Sequence, residues 1–256
     1  MLANYHTHTD RCGHAEGEDK AFVESAIDAG MKVLGFSDHC PWVFPDNTVS
    51  HCRMFPSELD DYMTSLTRLR EEYRKDITIY IGFESEYLPT LLEAQEQLFK
   101  GYPIDYQILG QHFIEPEPFG EYCGKITADS VFLQRYIDSC IAGMETGRYK
   151  YLAHPDLLGF SGMESVYAEE YGRLCAYLQA HDIPVEINLL GVVGGRHYTD
   201  PRFLRIAGEY GCKAIIGCDA HTPDRLHYTK GIRQCIHMAE KAGLELVTYL
   251  PGLEPQ

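Results

Sequence analysis

The sequence lacks several features that would assign the chain to a simple class. No stretch approaches the ~20 continuous apolar residues of a membrane-spanning helix, and the N-terminus lacks the basic and apolar segments of a secretory signal. The nine cysteines form no C-x-x-C pair, and their odd number argues against a disulfide framework. Reduced thiols, mostly in the core, are the expectation. We therefore expect a cytoplasmic protein with no membrane partner.

Clustered positive charge is also missing. The 256 residues include 22 Lys and Arg against 38 Asp and Glu, a net charge of −16, and no basic run occurs. Because nucleic-acid backbones are bound through clustered cations, no nucleic-acid partner is expected. A small phosphorylated substrate stays compatible with this charge if bound metal ions supply local positive charge. Nothing in the sequence indicates the oligomeric state.

The sequence does contain an alternation of short apolar runs and helical segments. The runs predict seven strands and an eighth candidate: Leu2–His6, Lys32–Ser37, Ile77–Phe83, Asp105–Gly110, Tyr151–Ala153, Pro184–Ile187, Lys213–Gly217 and Leu244–Tyr249. Continuous apolar runs are typical of parallel strands that are buried on both faces. This number of units predicts a closed or distorted βα barrel. A doubly wound open sheet is the competing architecture, but no Gly-rich dinucleotide fingerprint follows the first strand.

Capping residues mark the predicted helix starts. Ser57 with Asp60 resembles a capping box, and Thr90 stands three residues before a glutamate in the same way. Asp200 before Pro201 predicts an N-cap followed by proline in the first turn.

Metal-binding and acidic residues follow nearly every predicted strand. They are His6 and His8, Asp38 and His39, Glu84, His112, His154 and Asp156, Glu186, and Asp219 and His221, with His14 in the first loop. The carboxyl ends of parallel barrel strands meet on one face, where barrel enzymes carry out their chemistry. A single histidine is most often structural, but random placement does not explain why so many histidines and carboxylates follow the carboxyl ends of the strands. Imidazole and carboxylate groups therefore predict two or more divalent cations of zinc, iron or manganese.

The spacing within these motifs supports the same interpretation. Alternate residues of a strand point to the same side, so His6 and His8 can bind one ion together. Asp219 and a histidine two residues later can bind two neighbouring ions. Asp38 and Asp156 flank predicted ligands, and we interpret them as residues that orient an imidazole.

The ordered motifs H-x-H, a further His, S-D-H, a strand-end Glu, G-x-H, A-H-P-D and D-A-H resemble the PHP (polymerase and histidinol phosphatase) family, most closely its histidinol-phosphatase branch. The resemblance covers the whole chain, so residues 1–256 are expected to form a single domain with the family fold, a distorted (β/α)7 TIM-like barrel of the α/β class. It also implies three ligand sets. These are His6, His8, Glu84 and Asp219 for the first ion, Glu84, His112 and His154 for the second, and His14, His39 and His221 for the third.

The resemblance implies a metal-dependent phosphomonoesterase of histidine biosynthesis whose substrate is histidinol phosphate. Its predicted catalytic residues are Glu84, which bridges two ions, Asp219, which accepts a hydrogen bond from the nucleophilic water, and Arg196. Arg196 and, less strongly, Arg53 are the candidate phosphate-binding residues, because a guanidinium binds phosphate through two parallel hydrogen bonds. The leaving-group acid is unassigned, and His197 is suggested for it by position alone.

Two departures from the family pattern keep other substrates open. Gly110-Gln-His stands where Ser-x-His is common, and Leu157-Leu-Gly-Phe follows the A-H-P-D motif where relatives tend to carry a basic residue. Another small phosphate ester or a nucleotide is the alternative substrate. An amidohydrolase would usually need a bridging Lys at the position of Glu84, and a non-catalytic PHP module would be expected to lose ligands that this chain retains.

Overall fold

The computed structural model describes residues 1–45 and 48–256. The strands are β1 (Ala3–Asn4), β2 (Val33–His39), β3 (Thr78–Ser85), β4 (Tyr106–Leu109), β5 (Ile126–Thr127), β6 (Gly159–Phe160), β7 (Val185–Asn188), β8 (Lys213–Gly217) and β9 (Glu245–Leu246). The α-helices are α1 (Asp19–Asp28), α2 (Leu59–Glu72), α3 (Leu92–Phe99), α4 (Ser130–Glu145), α5 (Glu164–Ala180), α6 (Leu189–Gly194), α7 (Pro201–Glu209) and α8 (Thr229–Ala242). Short 3-10 turns occur at Asp10–Cys12, Pro56–Glu58 and Pro223–His227. No helix in the described part of the chain has both the length and the apolar character that crossing a bilayer requires.

Seven parallel segments form a closed ring. β1 to β4 pair in sequence order, and β7 pairs with β8. Leu152 joins the two groups by bridging Leu109 of β4 and Val185 of β7, while a bridge between Thr7 and Ala220 closes the ring beyond β1 and β8. The fold is therefore the predicted distorted (β/α)7 barrel, and the carboxyl ends of its strands lie on one face.

Apart from shifts of one or two residues at strand ends, the observed strands differ from the predicted ones in three places. The predicted strand 151–153 contributes only the bridged residue Leu152. The eighth candidate is reduced to β9, which pairs with β8 outside the ring. The parallel pair of β5 and β6 is not predicted, because two-residue strands are too short to show a hydrophobic pattern.

Two of the three predicted helix caps are wrong. A 3-10 turn precedes α2, and there the carboxylate of Glu58 accepts a hydrogen bond from the Phe55 N–H at 2.8 Å, so Ser57 and Asp60 form no capping box. Helix α3 begins at Leu92, without the Thr90 side-chain cap. The third cap is confirmed, since the Asp200 carboxylate accepts from the backbone N–H of the second helical residue of α7.

Tyrosine side chains fill the barrel interior below the carboxyl strand ends. Tyr5, Tyr106 and Tyr151 are buried there, and the Tyr106 hydroxyl donates to the Tyr5 carbonyl at 2.8 Å. A Cβ at Gly82 would lie 2.3 Å from the Tyr106 carbonyl oxygen, so the inner face of β3 requires glycine at this level. Two residues further on, the same face carries Glu84. The barrel thus changes from a tyrosine layer to a carboxylate at the end where the predicted ligands meet.

Candidate metal centre

The structure brings all nine predicted metal ligands to the carboxyl end of the barrel. Five of them are buried, with no more than 4% of their surface exposed: His6, His8, Glu84, His154 and Asp219. The other four line the pocket above them: His14, His39, His112 and His221. The cluster therefore has a buried floor and a more accessible rim.

Glu84 occupies the middle of the cluster, and its two oxygens face different histidines. Oε2 lies 3.4 Å from His6 Nε2 and 3.2 Å from His39 Nδ1. Oε1 lies 2.8 Å from His154 Nε2 and 3.6 Å from His112 Nε2. One carboxylate thus separates two groups of imidazoles, which is the arrangement that a bridging ligand needs.

Several triplets of ligand atoms lie close enough to surround a cation. Atoms within 4.8 Å of one another come from His6, His8 and Asp219, from His6, Glu84 and His154, and from His14, His39 and His221. The first and third of these triplets fall within single predicted ligand sets, whereas His6, Glu84 and His154 combine the first and second sets, and a further triplet of His8, His39 and Glu84 combines the first and third. His112 belongs to none of the triplets found among the described residues. The assignment of each residue to an ion stays a prediction.

Most of the imidazoles are held through Nδ1, which leaves Nε2 free to bind a cation. His6 Nδ1 lies 2.8 Å from Glu186 Oε1, and His8 Nδ1 lies 3.4 Å from Asp38 Oδ1. The Nδ1 atoms of two rim histidines, His14 and His221, lie 2.9 and 3.1 Å from backbone carbonyl oxygens. Such contacts orient ligating histidines in metal sites.

The donor set fits divalent cations because its innermost polar atoms have no hydrogen-bond partner. Among the described residues, the buried atoms without one include His6 Nε2, His8 Nε2, His154 Nδ1 and both carboxylate oxygens of Glu84. The Glu84 oxygens lie near imidazole nitrogens but not in hydrogen-bond geometry. Burying unpaired polar atoms costs roughly 1–3 kcal/mol for each group. Nitrogen and carboxylate donors that converge in this way match the preferences of zinc, iron and manganese.

The electrostatics of the cluster also favour bound positive charge. Burial would raise the pKa of Glu84, but the imidazoles of His112, His6 and His39 lower it well below its ordinary value. Burial likewise opposes the ionisation of Asp219, whose pKa His6 and the other imidazoles lower. Burial lowers the pKa of His8 and the carboxylates nearby raise it, to about 9. The two buried carboxylates are therefore ionised and require cationic partners inside the barrel.

A pocket of about 650 Å³ opens above the cluster. Its wall carries Arg196, Tyr122 and Tyr198, with the Arg196 guanidinium carbon 5.8 Å from the centre of the Tyr198 ring. No hydrogen bond or ion pair engages the guanidinium or either phenol hydroxyl among residues 1–45 and 48–256. Burial raises the pKa of both phenols, so they stay protonated and can donate. The pocket thus offers three uncommitted donors above the ligand cluster.

Arg53, the second candidate for phosphate binding, lines the same pocket but is already engaged. Its guanidinium donates to Glu86 at 3.0 Å through both terminal nitrogens, and to Glu117 at 2.6 Å. That Arg53 binds phosphate stays a prediction, but a phosphate would have to compete with the carboxylates of Glu86 and Glu117 for its guanidinium. His197 does not line the pocket, and its Nε2 lies 2.6 Å from the Leu157 carbonyl oxygen.

Sequence reasoning identified the ligand candidates but missed part of their surroundings. Asp38, predicted to orient an imidazole, lies beside His8, with its Oδ1 atom 3.4 Å from Nδ1. Asp156 does not orient His154, because its carboxylate instead accepts a hydrogen bond from the Asp200 N–H. Tyr122 and Tyr198 are not singled out by any sequence motif. The only sequence feature that pointed to Glu186 is its position at the end of a predicted strand.

Comparisons with known proteins show which family and fold the chain shares. The PHP domain family model matches residues 4–189. A probable histidinol-phosphatase of Deinococcus radiodurans is 26% identical over 239 residues, covering 89% of each protein. The histidinol-phosphatase of Bacillus subtilis is 24% identical over 256 residues, covering 87% of this chain and 94% of the relative.

Among solved structures, histidinol phosphate phosphatase from Lactococcus lactis, complexed with zinc, L-histidinol and phosphate, superposes with a TM-score of 0.75 at 19% identity. That match covers 100% of this chain and 98% of the other. The structure described as the putative histidinol phosphatase of Listeria monocytogenes matches with a TM-score of 0.72 at 20% identity, over 90% of this chain and 99% of the other. With the family model covering most of its length, this chain belongs to the PHP domain family.

Proposed function

We propose that the protein is a metal-dependent phosphomonoesterase that hydrolyses L-histidinol phosphate to L-histidinol and inorganic phosphate. The observation that carries this proposal is the set of unpartnered buried atoms around Glu84, beneath a pocket whose wall presents the uncommitted guanidinium of Arg196. The names of the similar proteins support the choice of substrate. Because the ligands extend from residue 6 to residue 221, we treat residues 1–256 as one catalytic domain.

Divalent cations complete the proposed site. Glu84 would bridge a first ion, held with His6, His8 and Asp219, and a second ion held by the imidazoles facing its Oε1 atom. His14, His39 and His221 would hold a third ion at the rim. Bound ions of this kind lower the pKa of a coordinated water towards neutrality and bind phosphate oxygens.

The remaining catalytic work falls to side chains around the pocket. Asp219 has one oxygen fixed by Asn188 Nδ2 at 3.1 Å, while its other oxygen faces His8 Nε2 at 3.2 Å. Held in this way, Asp219 can accept a hydrogen bond from the attacking water. Arg196 binds the phosphate, since its guanidinium has no competing carboxylate among the described residues. The protonated phenols of Tyr122 and Tyr198 can donate to phosphate or to the leaving oxygen.

A substrate panel tests this proposal directly. The protein, purified without chelator, is assayed for phosphate release from L-histidinol phosphate beside other alkyl, sugar and nucleoside monophosphates. L-Histidinol phosphate should give the highest kcat/KM, and a strong chelator should abolish turnover. Absence of turnover in the metal-loaded protein on every ester would refute the phosphatase assignment.

A second candidate is a PHP phosphoesterase that acts on a different small phosphate ester. The observation in its favour is that Leu157 and Leu190 line the pocket where a basic residue would offer a further phosphate contact. Metal-dependent turnover with another ester preferred would select this alternative. The role of the metal centre would then be unchanged.

A further inference from the structure

Glu186 is a buried carboxylate that belongs to none of the three proposed ligand sets. It lies in β7 with no exposed surface. Its Oε1 atom is 2.8 Å from His6 Nδ1 and accepts from the Tyr151 hydroxyl at 3.1 Å. Its Oε2 atom accepts from the His154 backbone N–H at 2.7 Å and from Asn188 Nδ2 at 2.9 Å. A carboxylate offers about four acceptor positions, so these four donors saturate Glu186 and leave it unsuited to bind an ion itself.

Three of the four contacts of Glu186 fix a proposed ligand, directly or through Asn188. Holding His6 Nδ1 leaves its Nε2 atom pointing towards Glu84 Oε2, at 3.4 Å. Holding the His154 N–H stabilises a residue whose φ of 30° is unusual for a side chain other than glycine. Asn188, bound to Glu186, also donates to Asp219 at 3.1 Å and so fixes which carboxylate oxygen of Asp219 faces the histidines.

The barrel makes room for Glu186 in the way that it makes room for Glu84. A Cβ at Gly217, on the neighbouring strand β8, would lie 1.8 Å from Glu186 Oε1. A Cβ at Gly110 would lie 2.0 Å from Glu84 Oε1. Both positions require glycine because a carboxylate occupies the space of the side chain. Each of the two buried carboxylates thus occupies space that a side chain on a neighbouring segment would otherwise fill.

We infer that Glu186 is a positioning residue of the metal centre, which orients His6, His154 and Asp219 for the first and second ions. The rim histidines His14 and His221 make no contact with Glu186 among the described residues. The inference rests on the proposed metal centre and not on the identity of the substrate. It predicts that Glu186 controls the affinity of the inner ions and not that of the rim ion.

The test is to count zinc ions per chain in Glu186→Gln at a series of free zinc concentrations set by a chelator buffer. An amide has one acceptor oxygen and would turn an N–H group towards existing donors, so it cannot replace the four contacts. We expect the inner ions to bind about 10- to 100-fold more weakly, as for other residues that orient ligands. The rim ion should retain its wild-type affinity. Glu170→Gln, at a mostly buried glutamate of α5 bonded to Arg173, is the matched control and should leave every affinity unchanged.

A second variant covers the case in which Glu186→Gln does not fold. Glu186→Asp keeps the charge but shortens the side chain, and it should weaken the same inner ions by a smaller factor. Wild-type zinc binding in a folded variant would overturn the inference, as would equal weakening of all ions, which would indicate general destabilisation. Turnover is not the readout, so wild-type protein that binds zinc without hydrolysing L-histidinol phosphate would contradict the proposed function alone.

Discussion

Gly110→Ala should damage the metal centre without altering any predicted ligand. A Cβ at this position would lie 2.0 Å from Glu84 Oε1 and 2.6 Å from its Cδ and Cγ atoms. Real Cβ contacts are essentially never below 3.0 Å, so Glu84 must move by about 1 Å. The backbone at Gly110 cannot easily give way instead, since its N–H donates to the Ser85 carbonyl at 3.2 Å.

The expected cost follows from this displacement. A misplacement of about 1 Å in a catalytic group can lower the rate on the order of 100-fold, and overpacking costs roughly 1–3 kcal/mol of stability. We expect Gly110→Ala to lose the ion held through Glu84 Oε1 and to hydrolyse L-histidinol phosphate about 100-fold more slowly. Metal content and kcat/KM, measured on the same preparation, check this result.

Gly30→Ala is the control for general destabilisation. Gly30 has a φ of 76°, and nothing lies within 4 Å of an added Cβ. Alanine there should cost about 1–2 kcal/mol through backbone conformation alone and leave metal content and turnover unchanged. A folded Gly110→Ala protein with the metal content and kcat/KM of the wild type would refute the claim that the metal centre requires the Glu84 side chain at its observed position.

The remaining predictions concern the two arginines, a buried carboxylate and the thiols. Arg196→Ala should lower kcat/KM for L-histidinol phosphate by about 10- to 150-fold, since a hydrogen bond to a charged group contributes roughly 1.5–3 kcal/mol, and metal content should not change. Arg53→Ala should instead lower the free energy of unfolding by about 3–5 kcal/mol in urea titrations, because it leaves Glu86 buried without its main partner. Burial raises the pKa of Glu86, but Arg53 and His112 lower it to about 2, below the ordinary 4.5. Its ionised form therefore stabilises the fold above about pH 4.5, and this contribution is lost as the pH falls towards 2, so Glu86→Gln should flatten that part of the stability curve of the metal-free protein. A thiol reagent should modify Cys52 ahead of the eight buried cysteines of the native protein, and a ligand in the pocket that Cys52 lines should slow the reaction.

The barrel and the ligand cluster could be predicted because their signals are local. Each strand of the ring is a largely apolar run, and a histidine or carboxylate lies near its carboxyl end or within three residues beyond it. Pairs such as His6 and His8 need only the two-residue repeat of a strand to share a face. The sequence carries no such local signal for the short strands β5 and β6 or for the caps of α2 and α3. Their form depends on packing, as with the Glu58 carboxylate that bonds to the Phe55 N–H.

The surroundings of the ligands could not be predicted because they depend on residues far apart in the chain. Glu186 meets His6 across 180 residues of sequence, and only the closed ring places them together. Arg53 resembles a phosphate-binding residue in the sequence, which does not show that Glu86 and Glu117 engage it. The sequence likewise does not show that Gly217 is a glycine because the Glu186 carboxylate occupies the space of a side chain there.

The most direct test of the account is Glu84→Gln, assayed for metal content and for hydrolysis of L-histidinol phosphate. The substitution keeps the size of a side chain that is 1% exposed but removes the charge between the two groups of imidazoles. The account predicts that the folded variant loses metal and turnover together. Wild-type turnover in a Glu84→Gln protein depleted of metal would contradict the claim that this site is a metal-dependent phosphatase centre.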